Sequence, residues 1–138
     1  MNVTDMKKNQ EKADERNEQT MRRIKAGLLL REERNKLGIS LADLGEELDV
    51  SSYYLSCIER GRKTMSDQFI RNIAKFYQID ENSLFNLLDR TPLLVKEEIE
   101  ENKHLQRLIL EIRKNSKLDN EQKYELYNKM YQLCTEFE

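Results

Sequence analysis

The sequence predicts an all-α fold, and three observations predict it. The 138 residues include only four Gly and one Pro, too few turn formers for the many tight turns of a sandwich or barrel. From about residue 21 onward, apolar residues recur at helical spacings. The runs are punctuated by residues that start and stop helices, Ser40 and Ser51 opening and Gly38 and Gly61 closing. Size and composition, with 36% charged and 38% hydrophobic residues, suit one small domain plus extensions.

Residues 1–20 are mostly Lys, Glu, Asn, Gln and Asp, with Met1, Val3, Met6 and Ala13 as the few apolar side chains. Such a stretch buries too little to offset its ordering entropy, and it is expected as a charged, flexible extension. Its composition favours helix if it orders. Over residues 21–37, Leu30, Arg34 and Leu37 share one helical face, and Gly38 is placed to end that helix. Ser40 is a candidate N-cap with Asp43 three residues on, and Leu41, Leu44 and Leu48 stripe a short second helix. A third helix opens at Ser51 and runs inward through Leu55 and Ile58 to Gly61. A fourth covers about residues 66–77, with Phe69, Ile70, Ile73, Ala74 and Tyr77 apolar, and a fifth about 81–88, with Leu84, Phe85, Leu87 and Leu88.

Pro92, the only proline, follows Thr91 where this pattern ends, so the boundary of a domain over residues 21–90 is expected there. Residues 91–138 read as a helical hairpin, one arm over about 94–114 and the other over 120–137. Its faces carry more apolar surface than one mutual contact can cover, with Leu105, Leu108 and Ile112 on the first arm and Tyr124, Tyr127, Tyr131 and Phe137 on the second. Docking on the preceding domain would cover it; self-association is preferred, which makes these seven residues the expected dimerisation surface.

The formal charge of −2 gives no global attraction to polyanions, so affinity for nucleic acid has to come from a local patch. No run approaches the roughly 18 apolar residues of a membrane span, and the first 25 residues lack the apolar core of a signal peptide. A cytoplasmic protein with no membrane association is expected. Cys57 and Cys134 lack metal-site or disulfide spacing and are expected as free thiols. His104 sits among polar neighbours without a Ser, Cys or Asp partner, and Glu97, Glu98, Glu100 and Glu101 read as a solvated face. No catalytic residue, metal site or cofactor is expected.

The stretch from Gly38 to Gly61 carries the main functional signal. Two short helices meet through a four-residue turn, Leu48 to Ser51, with Leu44, Leu48, Val50, Leu55 and Ile58 as apolar anchors and Gly45 where close approach leaves no room for a side chain. That is helix-turn-helix spacing. Arg34 stands six residues before Ser40, Ile39-Ser40 and Val50-Ser51 open the second and third helices, and Ile58-Glu59-Arg60-Gly61 closes the third. Ile70 to Tyr77 followed by Ile79 to Phe85 complete an ordered set that resembles the Xre family of lambdoid-repressor-type regulators over about residues 22–90.

The resemblance implies a five-helix DNA-binding domain and a dimeric repressor of transcription, with its third helix in the major groove of a two-fold-related operator on double-stranded DNA. It places Ser52, Tyr53, Ser56 and Cys57 at base edges, and Ser51, Arg60, Arg62 and Lys63 at phosphates. It also implies that Arg34 and Glu59 pair as a structural brace. The family's common glutamine near the start of the second helix is Leu41 here, and no reading position carries Arg, Lys, Asn or Gln, the bidentate readers of guanine and adenine. Readout would rest on hydroxyls, on the Tyr53 ring against thymine methyls and on DNA shape. Asp43, Glu46, Glu47 and Asp49 are then expected to face away from phosphates. Residues 1–20 fit either a solvated tail or an arm that helps bind DNA. The alternative reading is a protein-interaction module, an inhibitor or antitoxin-like adaptor, that keeps the fold and binds a protein partner through the neutral third helix and the aromatic C-terminal helices.

Overall fold

In the computed structural model, which describes residues 2–137, polar side chains fix where each helix of the first unit begins. Asn2, Ser40, Ser51 and Ser66 accept hydrogen bonds from the amides of Asp5, Asp43, Tyr54 and Phe69, and Asp80 accepts from Asn82. Each bond satisfies one of the backbone donors that a helix start leaves open. The elements they open are α1 (Val3–Leu37), α2 (Leu41–Leu48), α3 (Ser52–Glu59), α4 (Asp67–Tyr77) and α5 (Glu81–Leu87), followed by α6 (Leu93–Glu101), α7 (Lys103–Lys114) and α8 (Asn120–Thr135). Among the described residues there is no strand, and no helix is long and apolar enough to cross a membrane.

The chain divides into two units after Leu94. In the first, the pairs α1 with α3, α2 with α3, α4 with α5 and α1 with α5 are in close contact. Their shared core is Ala26 and Leu30 from α1, Leu44 from α2, Leu55 and Ile58 from α3, Met65 before α4, Phe69, Ile70, Ile73, Ala74 and Tyr77 from α4, and Leu84 and Phe85 from α5. Burying each large side chain in that set contributes about 1.5–3 kcal/mol, which is why α2, α3 and α5, too short to be stable alone, persist here.

Two expectations from the sequence change. The stretch read as a flexible extension is helical over residues 3–20 and continuous with the domain's first helix, so the boundary drawn at residue 20 falls inside α1. No Gly or Pro interrupts that stretch. Gln10 bonds Asp14 one turn on at 2.9 Å, and the helix ends only at Gly38, where φ is 65°. The second change lies in the other unit. The arm expected over 94–114 is broken at Asn102, whose extended backbone and side-chain bond to the Leu105 amide start a new helix, α7. Asn competes for backbone groups in this way. Gln106 then reaches back across the break to the carbonyls of Ile99 and Glu100.

Candidate nucleic-acid interface

The turn between α2 and α3 is shaped by two backbone features. Asp49 ends α2 in the left-handed region, with φ of 56°, a conformation that Asp tolerates better than most residues. Gly45 lets the turn fold back onto α2: a Cβ there would lie 2.6 Å from the Val50 carbonyl oxygen. Its small size therefore serves the turn rather than a helix crossing. The helix crossing is made at Gly27, where a Cβ would lie 2.4 Å from the carbonyl oxygen of Glu59, so α1 runs against the end of α3 backbone to backbone. Val50 packs half-buried against the core as the plug of the turn.

This setting presents Ser51, Ser52 and Tyr53 to solvent at the start of α3, with Tyr53 70% exposed. Ser56, one turn on, is half-buried. Cys57 departs from the expectation that it shares this outer face: it is buried. After Gly61 the chain doubles back, the Arg62 amide donating to the Cys57 carbonyl at 2.9 Å, and Arg60 Nη2 stands 3.9 Å from the Cys57 Sγ. At 4% exposure the thiol is not presented on the outer face of α3.

Arg60, Arg62 and Lys63 are exposed beyond the end of α3. Arg60 donates through Nε to the Ser56 carbonyl at 3.2 Å, and the Lys63 ammonium stands 5.7 Å from the centre of the Tyr54 ring. Tyr54 in turn meets Phe69 edge to face at 5.3 Å, and burial raises its hydroxyl pKa. Lys63 thus presents its charge from an aromatic footing. Asp43 is engaged in the capping box of α2. Glu46 and Asp49 are exposed and line a depression together with Ser51 and Ser52.

Behind the exposed face, Arg34 grips Glu59 through Nε at 2.7 Å and Nη2 at 3.1 Å, and its Nη1 donates to the Ile39 carbonyl at 3.0 Å. Both side chains are largely shielded, 14% and 8% exposed. The bond to Glu59 raises the Arg34 pKa further, against the opposing effect of burial. Sequence reading found this pair but missed Arg23, whose Nε donates to the Gly61 carbonyl at 3.2 Å, and Arg90, which bonds the Met65 carbonyl and the Asp67 carboxylate. Their partners lie 23 to 38 residues away along the chain, with no periodicity to announce them.

In the C-terminal unit, Leu108, Tyr124, Tyr127, Tyr131 and Phe137 are exposed and Leu105 is half-buried. Ile112 is buried and so drops out of the expected dimerisation surface. It sits with Ile109, Tyr124 and Tyr127 in a cleft of about 460 Å³. The tyrosines of α8, Tyr124, Tyr127 and Tyr131, stay open to solvent.

A family model described as a helix-turn-helix domain matches residues 25–84, from the middle of α1 into α5. Neither the curated proteins nor the solved structures compared with the chain give a match. Residues 25–84 thus match a helix-turn-helix domain over the five helices of the first unit, and all the regular structure among the described residues is helical.

Proposed function

We propose that the protein is a sequence-specific regulator of transcription, a dimeric repressor of the Xre type that occupies a two-fold-related operator. The observation that carries this reading is the split character of the α3 surface: neutral hydroxyls and an exposed aromatic ring at its start, three exposed cations beyond its end. Phosphate contacts position a protein on DNA and base contacts specify the site. In this reading Arg60, Arg62 and Lys63 hold the backbone, Ser51 offers the helix start to a phosphate, and Ser52, Tyr53 and Ser56 read the groove. Residues 25–84 hold nine Lys and Arg against ten Asp and Glu, so binding is local and modest in its salt dependence. Dimerisation through Tyr124, Tyr127, Tyr131, Leu108 and Phe137 would supply two half-sites.

One arrangement favours the second reading, a protein-interaction module: the acidic residues Glu46 and Asp49 share a depression with Ser51 and Ser52 at the start of α3, and acidic residues there suit a basic protein surface better than a phosphate. Selection of bound duplexes from a random pool, followed by footprinting, separates the two. A regulator enriches a two-fold-related site; an interaction module enriches none.

A further inference from the structure

The segment that joins α3 to α4 is held at both ends and exposed between them. At its start the Gly61 amide donates to the Ile58 carbonyl at 3.0 Å and the Arg62 amide to the Cys57 carbonyl at 2.9 Å. Gly61 has φ of 72° and lies so close to α1 that a Cβ would fall 2.7 Å from the Ile24 nitrogen, so only glycine fits there. Its carbonyl turns toward α1 and accepts from Arg23 Nε. The far side of that guanidinium donates to Thr20 Oγ1 at 3.1 Å, which steadies it from its own helix. At the other end of the segment Met65 is buried and its carbonyl accepts from Arg90. Arg62, Lys63 and Thr64 stand exposed between these two anchors.

We propose that Arg23 is a positioning residue for phosphate contact: by holding the Gly61 carbonyl it fixes the loop from which Arg62 and Lys63 meet the DNA backbone. This rests on the DNA-binding reading above. Arg23 is half-buried, and its fork is spent on Gly61 and Thr20 rather than offered to a ligand. The physical gain is preorganisation. A loop already fixed in its bound geometry loses less conformational freedom when it binds, and affinity rises without any new contact. Because the contacts involved are to phosphates, the gain applies to every DNA sequence alike.

The test uses the full chain, with Arg23→Gln and, as a milder change that lies on α1 away from the loop, Thr20→Val. Amide hydrogen exchange over residues 60–65 should quicken about fivefold in Arg23→Gln, the equivalent of one lost hydrogen bond, while exchange within α4 stays the same. Affinity for selected and random duplexes should fall by a similar factor of about five, with Thr20→Val changing both readouts in the same direction and by less. Lys63→Ala combined with Arg23→Gln should lose less than the product of the single losses, because both act through one loop. Unchanged loop exchange overturns the proposal. So do multiplicative losses in the double variant, which would mean that Arg23 touches phosphate itself. If the wild type binds no duplex, the DNA reading fails and the loop's role fails with it, an outcome recognisable before any variant is made.

Discussion

Arg34 of α1 and Glu59 of α3 form a two-bond ion pair, at 2.7 and 3.1 Å, that locks the last turn of the candidate recognition helix to the helix behind it. The guanidinium spends its remaining reach on the Ile39 carbonyl at the entry to α2, so one side chain ties together α1, the start of α2 and the end of α3. With both partners shielded, the pair is a brace for the reading head rather than a contact with DNA.

Glu59→Ala strands the partly buried Arg34 charge and should lower stability by about 1–3 kcal/mol, between the cost for an exposed pair and for a fully buried one. Urea unfolding measures it. An unchanged midpoint would show that the brace contributes nothing to the fold.

Gly27→Ala should destabilise even though Ala is the better helix former by about 1 kcal/mol. The new methyl meets backbone oxygens of Glu59 and Ile58 at 2.4 and 2.6 Å, and backbone yields less readily than a side chain, so a net loss of roughly 1–3 kcal/mol follows. Gly38→Ala makes the comparison. It has open space around it but a φ of 65°, and its cost of about 1–2 kcal/mol would come from backbone conformation alone. A Gly27→Ala protein as stable as the wild type would place α1 further from α3 than described.

Tyr77 packs beside the brace, its hydroxyl buried without a hydrogen-bond partner among the described residues. Burial first, and the nearby Glu59 charge second, push its pKa up to about 12 from an ordinary 10.0. Since the folded value is the higher one, the hydroxyl ionises first in the unfolded chain, so stability is unaffected by its titration below pH 10 and falls as pH rises toward 12. Tyr77→Phe should therefore raise stability at pH 7 by about 1 kcal/mol, through removal of the unpaired polar group, and flatten the alkaline loss. Tyr54, whose hydroxyl pKa is also raised by burial, leaves part of that loss in place. Thermal melts of both proteins across pH 7 to 12 give the answer. A variant less stable at pH 7 would mean that the hydroxyl has a partner.

The C-terminal tyrosines predict an oligomeric full chain. Tyr127 and Tyr131 are 50% and 72% exposed, and Tyr127→Glu with Tyr131→Glu should turn a dimer into a monomer in light scattering at matched concentration while helical content is kept. A wild-type monomer would remove the dimerisation surface from the account.

Much of the first unit was legible from local signals. Ser40 and Gly38 mark helix ends because capping chemistry is local, and Leu44, Leu55, Ile58, Ile70 and Phe85 mark the core because burial follows helical period. The Arg34 and Glu59 brace was legible by resemblance only; neither residue announces the other through spacing. What local reading missed depends on how the chain returns on itself. Cys57 is expected on the outer face of α3, yet it is buried, with the Arg60 guanidinium 3.9 Å from its sulfur. The bond from Arg23 to Gly61 spans 38 residues. Residues 3–20 carry no burial signal at all, and their helix follows from propensity and from continuity with α1. Asn102 falls inside the arm expected over 94–114, and its capping bond divides that arm in two.

Lys63→Ala and Arg62→Ala each remove a candidate phosphate contact. Affinity should fall for every duplex, and the magnitude of the slope of log affinity against log salt should drop by about 1. An unaltered slope would take these residues off the DNA backbone.

The central claim is that the exposed start of α3 reads sequence, and the most direct measurement is the affinity of the wild type and of Tyr53→Ala for the selected site and for random duplex at near-physiological salt. The account predicts clear preference of the wild type for its site, a loss of about 1–3 kcal/mol on that site in Tyr53→Ala, and little change on random duplex. A wild type that binds both duplexes equally, or a site preference indifferent to Tyr53, would contradict it.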